Sequence, residues 1–297
     1  MSILKRILPV CLIILLLLPN ISSTAAAASP TRSTTRAIHV NINGAFISTD
    51  SNPFIQSGRI MIPIRTLASL GLEYSWDAIE HTVTITNASH DIFQMTQGQP
   101  IAYKNGQPVQ MDSEANNYNG RIMVPAKFVS EAFGYKVYYD KIREIVFIQS
   151  GNFTRDAQAV YSADLKQARL AAISLPILYS FQPGTSTQSD PSQYYTYSFA
   201  SGDATRYTYS NGEIRTVVEI TEGTATAVWQ VSEADIPGYP ATTFGGMKPE
   251  YISDLFKDSF SYNNGVYSSY HTLSDGTVQK LKYSGLNYVD IVRAIPE

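Results

Sequence analysis

A seven-residue segment of this chain occurs twice, and the duplication constrains the fold more than any other feature. Arg59-Ile60-Met61-Ile62-Pro63-Ile64-Arg65 returns as Arg121-Ile122-Met123-Val124-Pro125-Ala126-Lys127, and the same offset carries Asn43-Gly44 onto Asn105-Gly106. Further downstream the offset grows by one position, which aligns Trp76-Asp77 with Tyr139-Asp140. A constant spacing of this kind indicates two copies of one structural unit.

Each copy is predicted to be a β-β-β-α-β-β unit. Asn43-Gly44 is flanked by alternating apolar and polar residues, which predicts a β-hairpin with a type I′ turn. A short apolar strand then ends at Pro63, where a short helix begins, and Gly71 suits its C-terminal cap. Two further strands complete the unit. The copies span about 38–87 and 100–150, and a unit of about 50 residues is near the lower limit for an independent core, so we expect them to pair in one domain over 38–150.

The motif shared by the copies resembles the copper amine oxidase N-terminal-like domain family. The residues that carry the resemblance are Pro63, Arg65, Gly71, Trp76 and Asp77 in the first copy, and Pro125, Lys127, Gly134, Tyr139 and Asp140 in the second. The resemblance covers residues 38–150 and implies an extracellular accessory or stalk module, common on secreted and wall-associated proteins of Gram-positive bacteria. In that family the module does not hold the copper.

Copper amine oxidase chemistry itself is not expected. The enzymes that give the family its name need three histidine ligands and a tyrosine that is converted to a quinone. The four histidines here, His39, His81, His90 and His271, are dispersed and form no His-x-His pair. Because imidazole metal sites need convergent donors, the sequence predicts no metal site and no cofactor.

Residues 1–28 are predicted to be a secretory signal peptide. They contain a basic start at Lys5-Arg6, an apolar run from Ile7 to Leu18 and a small-residue region at 25–28. The Ser/Thr/Pro/Arg-rich residues 29–37 are predicted to be a flexible tether. Removal of the signal would also remove Cys11, which leaves no thiol for catalysis, for metal binding or for disulfides, and no integral membrane span.

Charge excludes two classes of partner. Residues 29–150 hold 10 basic and 10 acidic residues, whereas residues 151–297 hold 10 and 15. Because neither half carries a basic cluster, binding to nucleic acid or to anionic lipid surfaces is not expected. The acidic second half is expected to hold the binding function and to act separately from the first half, so that binding survives deletion of residues 29–150.

The second half, residues 151–297, is predicted to be a separate α+β domain. Apolar residues recur at helical spacing from Phe153 to Ile173, which predicts one long amphipathic helix. An antiparallel meander of about seven strands follows, with a second short helix over Lys248 to Lys257. The predicted fold class of the whole chain is therefore α+β.

Tyrosines alternate along the meander strands. Tyr195, Tyr197, Tyr207 and Tyr209, with Trp229 near them, could form an aromatic ligand platform on the sheet surface. Such rows are more often the core face of a half-buried antiparallel sheet, and we take this as the leading interpretation.

The sequence holds no recognisable catalytic motif, so no catalytic residue is predicted. Five carboxylates in the second half could supply an acid/base pair for glycan cleavage: Glu219, Glu233, Asp235, Asp254 and Asp258. Their spacing singles out no pair, and a solvated acidic face is the simpler interpretation.

The sequence therefore favours an exported, non-catalytic protein of the cell envelope or wall. Its repeat domain would act as a stalk or docking module that presents a tyrosine-rich binding domain to a cell-wall component or another envelope protein. The alternative is a secreted hydrolase that cleaves wall glycan or peptide with carboxylates of the second half. An enzyme should show a pocket with convergent carboxylates or a histidine, and a binding module a shallow aromatic or apolar patch.

Overall fold

The protein is described by a computed structural model, which covers residues 38–185, 194–232, 241–263, 266–273 and 275–284. The predicted signal peptide, the predicted tether and a strand predicted near residues 288–293 lie outside this range. The described chain is β-rich with short helices, in agreement with a mixed α+β class. None of the helices in the described ranges combines the length and apolar character needed to span a bilayer.

Residues 38–150 form short strands joined by tight turns. The strands are β1 (His39–Ile42), β2 (Ala45–Ile47), β3 (Phe54–Gln56), β4 (Arg59–Pro63), β5 (Glu73–Asp77), β6 (Thr82–Thr86), β7 (Ile92–Thr96), β8 (Ile101–Lys104), β9 (Gln107–Gln110), β10 (Asn116–Tyr118), β11 (Arg121–Pro125), β12 (Lys136–Asp140) and β13 (Ile145–Gln149). A 3₁₀ helix over Ile64–Leu70 follows β4, and helix α1, Ala126–Ala132, follows β11. The β1–β2 hairpin turns at Asn43 and Gly44, whose φ values of 48° and 84° are those of a type I′ turn.

Elements of both duplicated segments follow the same order: a hairpin, two short strands, a helix and a second hairpin. Three of these strands are not predicted from the sequence. β3 and β10 lie in segments for which no strand was predicted, and β7 lies between the two copies.

The two copies of the repeated strand pair with each other. The central sheet has the order β10-β11-β4-β3, and β4 runs antiparallel to β11 with Ile62 opposite Val124. Both side chains are fully buried. The edges of this sheet, β3 and β10, come from corresponding positions of the two copies.

The two outer sheets each combine strands of both copies. One has the order β12-β13-β1-β2, in which β1 is parallel to β13. The other has the order β5-β6-β7-β8-β9, and β7 lies between the hairpins of the two copies there. The buried side chains of the three sheets form one cluster that includes Ile62, Leu67, Val83, Phe93 and Val146.

The helical segment after residue 150 is shorter than predicted. Only Leu165–Ile173 is α-helical, as helix α2, and a short 3₁₀ turn at Ala159–Tyr161 precedes it. The Asp164 carboxylate accepts hydrogen bonds from the backbone N–H groups of Lys166 and Gln167 at 3.0 and 3.2 Å. An N-cap of this kind requires non-helical backbone at Asp164, so the predicted single helix over 153–173 is interrupted there.

A nine-stranded sheet dominates the second half. Its strands are β14 (Ile177–Tyr179), β15 (Tyr194–Phe199), β16 (Arg206–Ser210), β17 (Ile214–Thr221), β18 (Thr224–Ser232), β19 (Thr243–Gly246), β20 (Asp258–Asn263), β21 (Val266–Thr272) and β22 (Val278–Ser284). The order is β14-β18-β17-β16-β15-β20-β21-β22, with β19 also on β18. The sequence prediction missed β14, which is parallel to β18, and β19. The predicted helix near 248–257 is a 3₁₀ helix over Glu250–Phe256.

The hydrophobic core crosses the predicted boundary at residue 150. Ile142, Ile145 and Phe147 belong to the same buried cluster as the tyrosine rows of the large sheet. The buried Arg143 guanidinium pairs with Asp140 at 2.6 Å and donates to the carbonyl oxygens of Ile173 and Leu175 at 3.0 and 2.9 Å. The described part of the chain accordingly forms one compact unit.

Candidate functional site

The tyrosine rows form the core of the large sheet. Tyr195, Tyr197, Tyr207 and Tyr209 are all buried, and the rings of Tyr197 and Tyr209 lie 5.0 Å apart between centroids. They therefore do not form a surface platform. The physical reason is the period of two along β15 and β16, which directs alternate aromatic side chains toward helix α2 and the β12–β13 hairpin. Burial also raises the pKa of Tyr207, so its hydroxyl stays neutral in the core.

Trp229 is separated from these tyrosines. It is also buried, but it packs in a smaller cluster with Val217, Val231 and Leu255. The five aromatic residues considered as a platform therefore divide between two buried clusters.

The opposite side of the same strands carries a groove of about 760 Å³ with a floor of hydroxyl groups. Two rows of side chains cross the strands of this face. The first row is Thr208, Ser198, Ser259, Tyr270 and Lys280, and the second is Arg215, Ser210, Thr196, Ser261 and Ser268. Strand pairing places these residues side by side, although they lie far apart in the sequence.

A cation stands at the end of each row and lies over an aromatic ring. The Arg215 guanidinium carbon is 4.8 Å from the centroid of the Phe256 ring, and Lys280 Nζ is 4.7 Å from that of Tyr270. Cation–π contact of this kind holds a charged group against the ring. Among the residues that the structure describes, the lining of the groove includes no carboxylate and no histidine.

Several floor hydroxyls have spare hydrogen-bonding capacity. Ser259 and Ser198 bond to each other at 2.8 Å. The hydroxyls of Thr208, Ser261 and Ser268 make no hydrogen bond within the part of the chain that the structure describes. They reach the groove, where a ligand or water can bond to them. A face of small hydroxyl side chains between two cations is suited to an oxygen-rich, negatively charged ligand.

The three carboxylates considered for catalysis that lie within the described residues are not brought together. Asp258 is buried and binds Arg169 at 2.5 Å and the ring of His271. Glu219 accepts a hydrogen bond from the Tyr251 hydroxyl, and Asp254 is exposed on the 3₁₀ helix. Glu233 and Asp235 lie outside the described residues.

The histidines are also dispersed. The ring of His39 meets the edge of Tyr195 at 6.0 Å, and burial lowers the pKa of His39 to about 3. His81 lies 5.9 Å from Trp76, and His271 pairs with Asp258. Within the described residues, no three His, Cys, Asp or Glu side chains are grouped as metal ligands.

The repeat motif residues have mainly structural positions. Pro63 and Pro125 end the paired strands β4 and β11 and precede the two short helices. Gly71 and Gly134 follow these helices with φ values of 74° and 80°, which glycine adopts without strain.

The two aspartates of the motif cap equivalent turns. Asp77 accepts the N–H groups of Ile79 and Glu80 at 2.8 and 3.0 Å, and these two bonds lower its pKa. Asp140 accepts the N–H groups of Ile142 and Arg143 at 3.0 and 3.1 Å. The remaining motif residues, Arg65, Lys127, Trp76 and Tyr139, line two surface pockets.

Sequence reasoning missed the groove because it followed the aromatic positions of each strand. The signal was present in the other half of the alternation, where hydroxyl residues lie two positions apart in Thr196 and Ser198, in Thr208 and Ser210, and in Ser259 and Ser261. Serine and threonine alternation alone also fits a solvated face. Only the strand order places the hydroxyls between Arg215 and Lys280.

Comparison with protein families gives a match in the first half of the chain. Residues 41–148 match the family described as Copper amine oxidase N-terminal domain. The resemblance expected for residues 38–150 is therefore confirmed, and the match ends at the last strand before the helical segment. A search of curated protein sequences returned no match.

Proposed function

We propose that this protein is an exported, non-catalytic component of the cell envelope that binds an acidic glycan of the wall in the groove of its large sheet. The observation that carries the proposal is the pair of hydroxyl rows that end at Arg215 and Lys280. Hydroxyl and cationic groups can bond to sugar hydroxyls and to acidic substituents at the same time.

Three further features support this function. The copper amine oxidase N-terminal family is often a non-catalytic stalk module, and residues 41–148 match it. Residues 1–28 have the pattern of a secretory signal. The groove lining, as far as the chain is described, holds neither a carboxylate nor a histidine, so it does not favour the alternative of a wall hydrolase.

The charge of the groove changes the expected charge of the ligand. The second half is acidic overall, which predicts a surface that meets cationic or glycan groups. The two charged residues that line the groove are both cations. The proposed ligand is therefore an anionic glycan rather than a cationic one.

The proposal is tested by titrating the purified protein with soluble fragments of peptidoglycan. The variant with both Arg215→Gln and Lys280→Gln should bind at least about 10-fold more weakly, because it loses two charge-assisted contacts that together contribute about 1.4 kcal/mol or more. Lys248→Gln removes an exposed cation outside the groove and is the matched control, for which wild-type binding is expected. Equal binding by the double variant and the wild type would reject the groove as the binding site.

A further inference from the structure

The part of the chain over residues 38–150 carries a small pocket next to the repeated motif, here called the Asp50 pocket. It has a volume of about 190 Å³ and is lined by Asp50, Arg65, Trp76 and Arg121, among others. The Asp50 carboxylate pairs with Arg65 Nη1 at 2.9 Å and with Arg121 Nε at 2.7 Å. The pocket thus combines two guanidinium groups, one carboxylate and an indole ring.

A second pocket of about 640 Å³, here called the Asp112 pocket, is built from the corresponding residues. Its lining includes Arg59, Asp112, Lys127 and Tyr139. The Asp112 carboxylate pairs with Arg59 Nε at 2.5 Å. The offset that relates the two copies carries Asp50 onto Asp112, Arg59 onto Arg121 and Arg65 onto Lys127, and Trp76 corresponds to Tyr139.

Each pocket is assembled from both copies. Asp50 of the first copy pairs with Arg121 of the second, and Asp112 of the second copy pairs with Arg59 of the first. Arg65 lines the first pocket and Lys127 the second. Each pocket contains residues of both copies because β4 pairs antiparallel with β11, with Ile62 opposite Val124. This pairing places the start of each strand beside the end of the other.

Both pockets have an excess of positive charge. The lining of the Asp50 pocket holds two arginines and one acid, and that of the Asp112 pocket holds three cations, Arg59, Lys127 and Lys141, against Asp112 and Glu131. The side chains of Arg65 and Lys127 are 61% and 66% exposed. Arg65 donates to Asp50 through Nη1 alone among the described residues, which leaves its other donors for a ligand.

We propose that these two pockets are equivalent sites for the anionic groups of a polymer whose sugar or polyol units carry a carboxylate or a phosphate. The cation at Arg65 or Lys127 would bind the anionic oxygen atoms, and the adjacent aromatic residue would contact the apolar face of the same unit. Two like sites on one compact unit favour a ligand with a repeated group, because the second contact then forms within the same complex. This inference is independent of the groove on the nine-stranded sheet.

The test counts binding sites in the purified protein by calorimetry with two short probes, trigalacturonate and a trimer of glycerol phosphate. For the probe that binds, Arg65→Gln and Lys127→Gln should each lower the number of bound molecules by one, and the double variant should lower it by two. Arg65→Lys and Lys127→Arg should retain binding. Lys136→Gln removes an exposed charge outside both pockets and should leave the number unchanged.

A longer chain of the same probe tests the equivalence of the pockets. Each single variant should weaken its apparent affinity by about 100-fold, because only one contact per chain remains. Binding of trigalacturonate alone would identify the anionic group as a carboxylate, and binding of the glycerol phosphate trimer alone would identify it as a phosphate. The inference is overturned if neither probe binds, or if either Arg65→Gln or Lys127→Gln leaves the number of bound molecules unchanged. The groove is tested separately by the Arg215 and Lys280 variants.

Discussion

Among single residues, buried charges connect the two halves of the chain. Arg143 and Asp140 are almost completely buried, and the remaining guanidinium donors of Arg143 bond to the carbonyl oxygens at the end of helix α2. The guanidinium carbon also lies 5.6 Å from the centroid of the Phe147 ring. Arg143 therefore bonds to a carboxylate before the boundary predicted at residue 150 and to carbonyl oxygens after it.

Replacing Arg143 with Met should lower the free energy of unfolding by about 3–5 kcal/mol. The variant leaves the Asp140 carboxylate buried without its charge partner, and it leaves two carbonyl oxygens without their donors. Urea denaturation followed by circular dichroism measures the loss. Arg206→Met is the control, because Arg206 is 43% exposed and pairs with Asp203, and the expected loss is about 1 kcal/mol or less. A loss of that small size for Arg143→Met as well would contradict the structural role assigned to the buried pair.

Among the strands and helices, the duplicated strand lies in the sheet that joins the two copies over residues 38–150. β4 and β11 pair along the repeated sequence, and each outer sheet combines hairpins from the two copies. Superposition of 59–86 on 121–149 remains a prediction, which the shared order of strand, helix and hairpin supports.

Replacing Ile62 with Asp should prevent folding. Ile62 is fully buried opposite Val124, and an unpaired carboxylate there would cost several kcal/mol, which is comparable to the total stability of a typical domain. Ile55→Asp is the control, since Ile55 is 46% exposed on edge strand β3. Solubility and thermal unfolding compare the two. A soluble Ile62→Asp variant with a cooperative transition would show that the proposed pairing is incorrect.

In the molecule as a whole, the two halves share their core. Ile142, Ile145 and Phe147 pack with the tyrosine rows of the large sheet, so deletion of residues 29–150 removes part of the core of the second half. The expectation that the halves act separately and that binding survives the deletion remains a prediction, and the shared core favours the opposite outcome. The groove lies on the opposite face of the sheet and depends on that core for its shape.

The full chain should unfold in one cooperative transition, whereas residues 151–297 expressed alone should show none. The isolated fragment would expose Tyr197, Tyr207 and Phe199 where the first half now covers them. Differential scanning calorimetry of both proteins makes the comparison. Two separate transitions in the full chain, or a stable fragment that retains glycan binding, would instead support independent domains.

The local features of the protein could be predicted from the amino-acid order alone. Backbone preferences of a few neighbouring residues account for three of these features. They are the type I′ turn at Asn43-Gly44, the strand ends at Pro63 and Pro125, and the left-handed glycines after the short helices. The motif was also sufficient to identify the family of residues 41–148. The alternation of tyrosines correctly favoured a core face.

The meeting of distant segments could be read only from the folded chain. Strand order decides which distant segments meet. It combines hairpins of the two copies in one sheet, packs Phe147 against the large sheet and places Arg215 and Lys280 at opposite ends of the groove. The alternation of apolar and polar residues along a strand assigns each side chain to one of the two sheet faces. It does not determine which other segment packs on either face. Long-range strand pairing and the shared core supply that information, and together they create both the groove and the two pockets.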